Sequence, residues 1–365
     1  MRRGSIRIGD RADVAYWGAI GLGLAVLGLL GPIRRRIELI GADDLSRIWA
    51  GPRAAIVGAD PYDPGTWSAT AVALGTQPPD TALYIYPPWV TLALLPLGLL
   101  PLDVASVAWM VAGLGAATIG VRALLRAYLP GIAWAHALVA LALLLSWVGM
   151  LTLIIGQWGY LLVGALCAIV LSLRAGRPVV AGLAALALLA KPQLFVFAVP
   201  AFAIHALWPG RDPIAARAAR RAVVVATLAA AALVGSAWLV FPQWWPSWPR
   251  LIGGSQLRPD SDTIAALVVT LLGSDAIGLA PLAVVALVVL ATRFHPRGDA
   301  WLAVWLALSA AGAPYTNSYD QILVIVPIVI AAGILHRDAP RAGAAVLVVG
   351  ALVLLLLTPL LYEVA

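Results

Sequence analysis

Long apolar runs, each bounded by charged residues, constrain this chain more than any other feature. A helix needs about 20 consecutive apolar residues to cross the hydrocarbon core of a bilayer. We expect eleven membrane-spanning helices, at residues 14–33, 104–121, 132–151, 158–173, 178–190, 193–208, 222–241, 276–292, 300–314, 321–335 and 342–361. The sequence therefore predicts an all-α, polytopic integral membrane protein.

Composition supports this class and excludes others. Hydrophobic residues make up 62% of the 365 residues and charged residues 11%, whereas a soluble domain has about 25% charged residues. The net charge of +7 comes from 23 arginines and one lysine. Such an excess typically anchors cytoplasmic loops to anionic lipids and does not indicate a nucleic-acid partner. We expect one transmembrane domain over residues 1–365, with no separate soluble domain and with the N-terminus inside.

Short arginine-containing loops orient the predicted helices. Positively charged loops tend to stay on the cytoplasmic side of a membrane, and the expected spans alternate without contradiction if all of these loops are cytoplasmic. The loops contain Arg122 and Arg126; Arg174 and Arg177; Arg211, Arg217, Arg220 and Arg221; Arg293 and Arg297; and Arg337 and Arg341. This orientation makes residues 34–101 the first outer loop and residues 242–262 another outer loop.

Residues 84–101, YIYPPWVTLALLPLGLLP, are apolar enough to be read as a further crossing. A crossing here would move the later arginine loops to the outside, against the positive-inside rule. Four prolines in this segment also remove backbone hydrogen-bond donors and interrupt helical structure. We therefore predict an interfacial or re-entrant segment on the outer face.

In this topology, five short motifs lie where predicted spans meet the outer surface. They are GADDL (41–45), YPPW (86–89), GQW (156–158), AKP (190–192) and YTNSYDQ (315–321). Polar groups at the ends of separate helices can converge on one cavity that binds a ligand. We therefore predict one outward-facing cavity built from these motifs.

The neutral and acidic groups of these motifs are candidates for substrate contact. Gln157 and Asn317 are explained almost as well by hydrogen bonds between helices. The predicted substrate-binding residues are Tyr86, Gln157, Asn317, Tyr319 and Asp320.

Asp43 and Asp44 are adjacent carboxylates in a very apolar chain. One interpretation is structural, since acidic residues in a loop are often solvated or cap a helix that begins at DLSRIW. The other is chemical: a carboxylate at the mouth of an apolar cavity can act as a general base for a sugar hydroxyl. Asp320 is a similar candidate that lies closer to a predicted span.

Lys191 is the only lysine and lies in the apolar stretch LAALALLAKPQLFVFAVP. An ionised side chain there is costly unless it is paired or faces water. It either extends to the lipid headgroups or supplies a positive charge for a phosphate. His136 and His205 have no metal-ligand companion at useful spacing, so we expect no metal site and no cofactor.

The quoted motifs carry a resemblance to a known family. DDLSRIWAGPRAAIVGADPYDP, then residues 84–101, GQWGYLL, LALLAKPQ and PYTNSYDQILVIVP resemble the polyprenol-phosphate-mannose-dependent mannosyltransferases of glycosyltransferase family 87. The resemblance covers most of the chain. It implies the GT-C fold and transfer of a sugar, mannose in that family, from a polyprenyl-phosphate donor to a lipid or glycan acceptor of the cell envelope.

The family places its catalytic base at an aspartate in the first outer loop, before an aromatic residue or leucine. Asp44, before Leu45, matches this position, and the doubled aspartate keeps Asp43 as an alternative. The resemblance, taken together with the positions of these residues, favours an inverting transfer at the outer face of the plasma membrane, with Lys191 and an outer-loop arginine such as Arg258 holding the donor phosphate. The chain is short for the family, with few outer-loop residues after position 262, which leaves the acceptor open.

Two other classes fit the hydropathy. A lipid or solute transporter or flippase would also be polytopic with a charged residue near the bilayer midplane, but would more often show two related halves with paired broken helices, and the sequence shows no such halves. A non-catalytic membrane scaffold would leave the clustering of polar motifs on one face unexplained.

Overall fold

The computed structural model describes residues 8–76, 83–207, 213–254, 268, 271–273, 280–294, 299–313 and 316–357. The regular structure in these ranges is helical, and no strand occurs in them. The all-α prediction is therefore confirmed for these residues. The first helices are α1 (Ile8–Leu29), α2 (Pro32–Glu38), α3 (Asp44–Ile56), α4 (Pro64–Ala73), α5 (Pro88–Ala93) and α6 (Leu95–Gly98).

The later α-helices form the main bundle. They are α7 (Leu102–Tyr128), α8 (Ala133–Leu145), α9 (Trp147–Ile155), α10 (Gly159–Arg174), α11 (Pro178–Ala184), α12 (Ala198–Leu207), α13 (Pro213–Val240), α14 (Trp244–Gly254), α15 (Ala280–Phe294), α16 (Asp299–Gly312), α17 (Ile325–Asp338) and α18 (Pro340–Leu352). Short 3₁₀ helices cover Ala185–Ala190, Pro192–Phe195 and Ser318–Val324, and a π-helical turn covers Val353–Leu357.

Several helices are long and apolar enough to cross a membrane. In the described ranges, four pass by length and composition: Arg11–Leu29, Leu102–Tyr128, Arg217–Val240 and Ser318–Asp338. A fifth candidate is the pair α8 and α9, bent by 46°. Shorter apolar helices cover residues 159–174, 178–190, 299–312 and 340–355. These helices indicate a membrane-embedded protein, while the total of eleven spans and the GT-C class stay predictions.

Two breaks between helices have identifiable reasons: one lies inside the predicted span 132–151, and the other lies between the predicted spans 178–190 and 193–208. The break between α8 and α9 lies at Ser146, whose hydroxyl accepts a hydrogen bond from the backbone N–H of Gly149 at 3.2 Å and so caps α9. The second break lies at Lys191, which is non-helical (φ −139°, ψ 68°) between two 3₁₀ helices. Helical geometry is disfavoured there because Pro192 follows.

The segment 84–101 contains no long helix. It forms α5, of six residues, and α6, of four, which together rise only about 15 Å. The indole N–H of Trp49 in α3 donates to the carbonyl of Leu100 at 2.9 Å, and Arg53 donates to the carbonyl of Gly98 at 3.3 Å. These contacts hold the segment against α3, an arrangement that suits a re-entrant or interfacial segment.

Close packing of small residues joins the central helices. α7 packs against α10, and α1 packs against α8. A Cβ added to Gly164 in α10 would lie 2.6 Å from the Cβ of Ala116 in α7. Such approaches between backbones are typical of helices packed within membranes. The start of α3 lies beside the starts of α7 and α10, because Trp49 contacts Leu100 and Leu45 contacts Gly156, and we call this region the site end of the bundle.

Charged residues gather at the opposite end. Arg122 in α7 pairs with Asp13 in α1 at 3.0 Å, Arg126 also pairs with Asp13, and Arg174 pairs with Asp299. From Leu102 to Arg122, α7 rises about 30 Å, the thickness of a bilayer core. The site end and these arginines are thus separated by roughly one membrane thickness.

Candidate functional site

Asp44 is the first residue of α3, and its carboxylate lies at the centre of the site end. One carboxylate oxygen, Oδ2, accepts a hydrogen bond from the side-chain amide of Gln157 at 2.6 Å. The other, Oδ1, lies 3.5 Å from Nη2 of Arg47. The Asp44 side chain keeps 22% of its surface exposed, so this carboxylate is both held in place and open to a ligand.

Asp43 has a different environment although it is the preceding residue. Its extended backbone makes it the N-cap of α3, and its carboxylate accepts from the backbone N–H of Ser46 at 2.8 Å and from the Ser46 hydroxyl. It also forms an ion pair with Arg36, in which neither side chain is more than 1% exposed. The two aspartates therefore divide into a buried capping residue and a partly exposed one.

Gln157 reaches Asp44 because of a tight turn after α9. Gly156 ends that helix in the left-handed region (φ +69°), where side chains are strained. A Cβ at this position would also lie 2.6 Å from the Cβ of Leu45. Glycine is therefore required both for the turn and for close contact with α3, and the turn brings the Gln157 amide to the carboxylate.

Tyr319 extends the polar contacts away from Asp44. Its hydroxyl oxygen lies 3.3 Å from the amide nitrogen of Gln157 and accepts from the amide of Asn317 at 2.6 Å. The hydroxyl of Thr152 in α9 donates to the backbone carbonyl of Tyr319 at 3.2 Å. The YTNSYDQ motif is thereby attached to the GQW motif.

Lys191 and Asp320 form the far side of the site. The Lys191 ammonium donates to Oδ1 of Asp320 at 2.6 Å and lies 4.6 Å from the centre of the Tyr319 ring. The two side chains are 8% and 2% exposed. The Lys191 side chain therefore lies inside the protein, paired with a carboxylate. Asp320 also accepts from the backbone N–H of Asn317 at 3.3 Å, which caps its own 3₁₀ helix.

Tyr86 is buried near Asp44. Its ring lies 5.7 Å from that of Tyr84 and 6.2 Å from that of Trp158, measured between ring centres. Burial and the nearby charge of Asp44 raise the pKa of Tyr86 well above its ordinary value. The phenol therefore stays neutral at physiological pH and can act as a hydrogen-bond donor.

The structure thus brings most of the sequence-predicted residues together. A continuous series of contacts joins Asp44, Gln157, Asn317, Tyr319, Lys191 and Asp320, with Tyr86 beside Asp44. Asp43 is separated from this series by its own pairing, and Arg258 lies outside the described residues.

Sequence reasoning missed two arginines. Arg47 faces Asp44 from the next turn of α3, and the spacing of three residues between an aspartate and an arginine was a usable signal. Arg36 is buried behind Asp43, and no spacing rule connects α2 with α3.

In the described part of the chain, no group of three or more His, Cys, Asp or Glu residues is arranged to hold a metal ion.

An apolar cavity of about 220 Å³ lies between α10, α11, α12, α13 and α16. Its walls include Leu188 and Phe195, which flank Lys191 in sequence, and Leu166, Ala226 and Leu306. The volume exceeds the roughly 150 Å³ that accommodates a benzene molecule in an engineered protein cavity. The cavity can therefore accept a segment of a hydrocarbon chain.

Comparison with known proteins matches most of the chain to a family model. A model of glycosyltransferase family 87 matches residues 84–359, which is more than half of the 365 residues. The match includes the YPPW, GQW, AKP and YTNSYDQ motifs, and it begins after the GADDL motif with its two aspartates. Searches of curated proteins and of solved structures found no match.

Proposed function

The chain belongs to glycosyltransferase family 87, and from this membership we propose that it transfers a sugar from a polyprenyl-phosphate donor to a lipid or glycan acceptor. The proposed sugar is mannose. The proposed reaction takes place at the outer face of the plasma membrane, proceeds with inversion at the sugar carbon, and needs no cofactor.

The contact between Asp44 and Gln157 carries this proposal. It joins the first outer loop to the GQW motif and leaves a partly exposed carboxylate at the site end. Gln157 occupies Oδ2, so Oδ1 is the oxygen available to take a proton. Arg47 lies 3.5 Å from Oδ1 and helps to hold the carboxylate in one orientation.

In the proposed reaction, Asp44 takes the proton of an acceptor hydroxyl. The hydroxyl oxygen forms a bond to the anomeric carbon, and the bond between that carbon and the donor phosphate breaks. Its electron pair stays on the phosphate oxygen, so the polyprenyl phosphate leaves with one more negative charge. Asp43 does not suit the role of base, because its carboxylate is fully buried and already bonded to Ser46 and Arg36.

The Lys191 side is the proposed phosphate-binding side. A lysine ammonium has three N–H donors, and Asp320 engages one of them. The remaining N–H donors of Lys191 can face an anion. Arg258 is proposed as a second cation. A positive charge here acts on the negative charge that grows as the phosphate leaves.

The residues between the two sides suit a sugar. Gln157, Asn317 and Tyr319 provide amide and hydroxyl groups along the line from Asp44 to Lys191, and Tyr86 adds a phenol. A sugar bound over them would have the base and the phosphate on opposite sides of its anomeric carbon. That separation is what an inverting displacement requires.

The apolar cavity supports a lipid-linked donor. Leu188 and Phe195 of its wall lie within four residues of Lys191. A phosphate at Lys191 would therefore place the first part of its hydrocarbon chain close to the cavity entrance, where burial of apolar surface contributes about 25 cal/mol per Å².

A transfer assay with purified protein tests the proposal. The protein, reconstituted in nanodiscs, is incubated with radiolabelled polyprenyl-phosphate mannose and a membrane lipid extract. We expect labelled glycolipid with the native protein and almost none with Asp44→Asn. Asp63→Asn is a matched control, because Asp63 is an exposed N-cap in the same loop and asparagine caps helices equally well. Equal labelling by the native protein and Asp44→Asn would contradict the proposed role of Asp44, and no labelling by either would contradict the proposed donor.

A further inference from the structure

A buried cluster of polar side chains lies directly behind Asp44. Its members are Arg36, Asp43, Ser46 and Ser106, and each has at most 6% of its surface exposed. Ser46 donates to one oxygen of Asp43, and Arg36 pairs with the other. Arg36 also donates to the hydroxyl of Ser106 in α7. The cluster therefore connects α2, α3 and α7 in a region closed to ligands.

The same arginine also touches the chain next to Gln157. A Cβ added to Gly156 would lie 3.2 Å from Nη2 of Arg36, so the guanidinium packs against this glycine. Gly156 immediately precedes Gln157, and Asp43 immediately precedes Asp44. One guanidinium group thus contacts the neighbour of each residue in the 2.6 Å hydrogen bond between Gln157 and Asp44.

We propose that Arg36 is a positioning residue that fixes Asp44 and Gln157 relative to each other. This inference rests on the proposed function, in which Asp44 is the general base. Arg36 acts through Asp43 and Gly156 and touches no substrate, because its own side chain is only 1% exposed.

Physical chemistry favours a geometric role over a purely stabilising one. A buried ion pair is often no more stable than apolar side chains of the same volume, because both charges lose their hydration. Burial lowers the pKa of Arg36 to about 10, which leaves the guanidinium charged at neutral pH. A planar guanidinium holds its partners in fixed directions, and a base that is displaced by about 1 Å loses much of its rate.

The test separates positioning from stability with two variants. Arg36→Met leaves Asp43 as an unpaired buried charge, and the protein is expected to lose both thermal stability and turnover. Arg36→Met with Asp43→Asn removes both charges and keeps an N-cap side chain. For this double variant we expect an unfolding temperature near the native value but a kcat reduced by roughly 10-fold to 100-fold. The donor KM should change little, because the donor phosphate is placed at Lys191.

A second arm asks whether Arg36 acts through Asp44. In an Asp44→Asn background, adding the double change is expected to cause no further loss of kcat, since a base that is absent cannot be misplaced. A native kcat in the double variant would overturn the positioning role while leaving the proposed function intact. An equal fold-loss in the Asp44→Asn background would overturn it as well. Native turnover in Asp44→Asn alone would exclude Asp44 as the base and overturn the positioning role, while the proposed sugar transfer would stand with another base.

Discussion

The site end contains two buried ion pairs, each formed by a basic side chain and an aspartate, and the two pairs suit different roles. Arg36 and Asp43 are enclosed: Asp43 accepts from Ser46 through one oxygen and pairs with Arg36 through the other, and Arg36 also donates to Ser106. Lys191 and Asp320 lie beside the Tyr319 ring and near an apolar cavity. A guanidinium binds in fixed directions, whereas an ammonium is a compact charge with rotatable donors. The first pair therefore suits a fixed support and the second suits a ligand that comes and goes.

The largest effect on activity is expected from substituting Asp44, compared with substituting its neighbour Asp43, which belongs to the first pair. Asp44→Asn should reduce kcat by about 10² to 10⁴ and leave the unfolding temperature unchanged, because a partly exposed carboxylate is replaced by an isosteric amide. Asp43→Asn should lower stability by about 3 to 5 kcal/mol, since Arg36 is left unpaired, with a smaller loss of rate. Kinetics and thermal unfolding of both variants check this. The opposite pattern would assign the base to Asp43, and full activity in both would point to Asp320.

The role of the second pair, Lys191 and Asp320, is tested by measuring the transfer rate against donor concentration. Lys191→Met alone leaves Asp320 as an unpaired buried carboxylate, so a loss of stability is expected. Lys191→Met with Asp320→Asn removes both charges, and we expect it to fold normally with a donor KM raised by about 10-fold or more and a reduced kcat. Lys191→Arg should keep part of the activity. Unchanged donor kinetics in the double variant would make this pair a structural support like the first.

A smaller effect is expected at Arg47, which belongs to neither buried pair. Its guanidinium is 32% exposed and lies 3.5 Å from Asp44, so Arg47→Gln should change stability by about 1 kcal/mol or less. We expect kcat/KM to fall by roughly 10-fold, because the Asp44 carboxylate loses a contact that orients it. Arg34→Gln is the control, since Arg34 is exposed and pairs only with Glu38 among the described contacts. Equal kinetics in the two variants would show that Arg47 does not contribute to the reaction.

No effect on activity is expected from the changes that test the topology. Two single-cysteine variants serve as probes. Ala175 lies in an exposed loop at the arginine-rich end and is changed in Ala175→Cys, and Ser68 lies on an exposed face of α4 at the site end and is changed in Ser68→Cys. In a Cys167→Ala background, an impermeant thiol reagent added to whole cells should label position 68 only. Labelling of position 175 alone would show that the orientation is opposite to the one predicted, with both ion pairs at the cytoplasmic face.

The sequence was informative where the signal is local. Hydropathy predicted the helical membrane class, and the prolines of residues 84–101 predicted the short helices found there. The roles of Asp43 and Asp44 could not be separated, because the difference depends on Arg36, which belongs to another helix. Lys191 was identified as unusual, but its partner Asp320 lies 129 residues away. Such pairs become visible only when the helices are packed.

Lys191 also has a chemical consequence for labelling experiments. It carries the only side-chain amine of the chain, and that amine is buried and donates a hydrogen bond to the carboxylate of Asp320. A buried amine is out of reach of reagents dissolved in water, so amine-directed reagents should leave the folded protein modified only at its terminal amine. Any event that separates Lys191 from Asp320 and admits water would expose one new nucleophile at a single known position. The chain thus contains its own chemical reporter for the opening of the site.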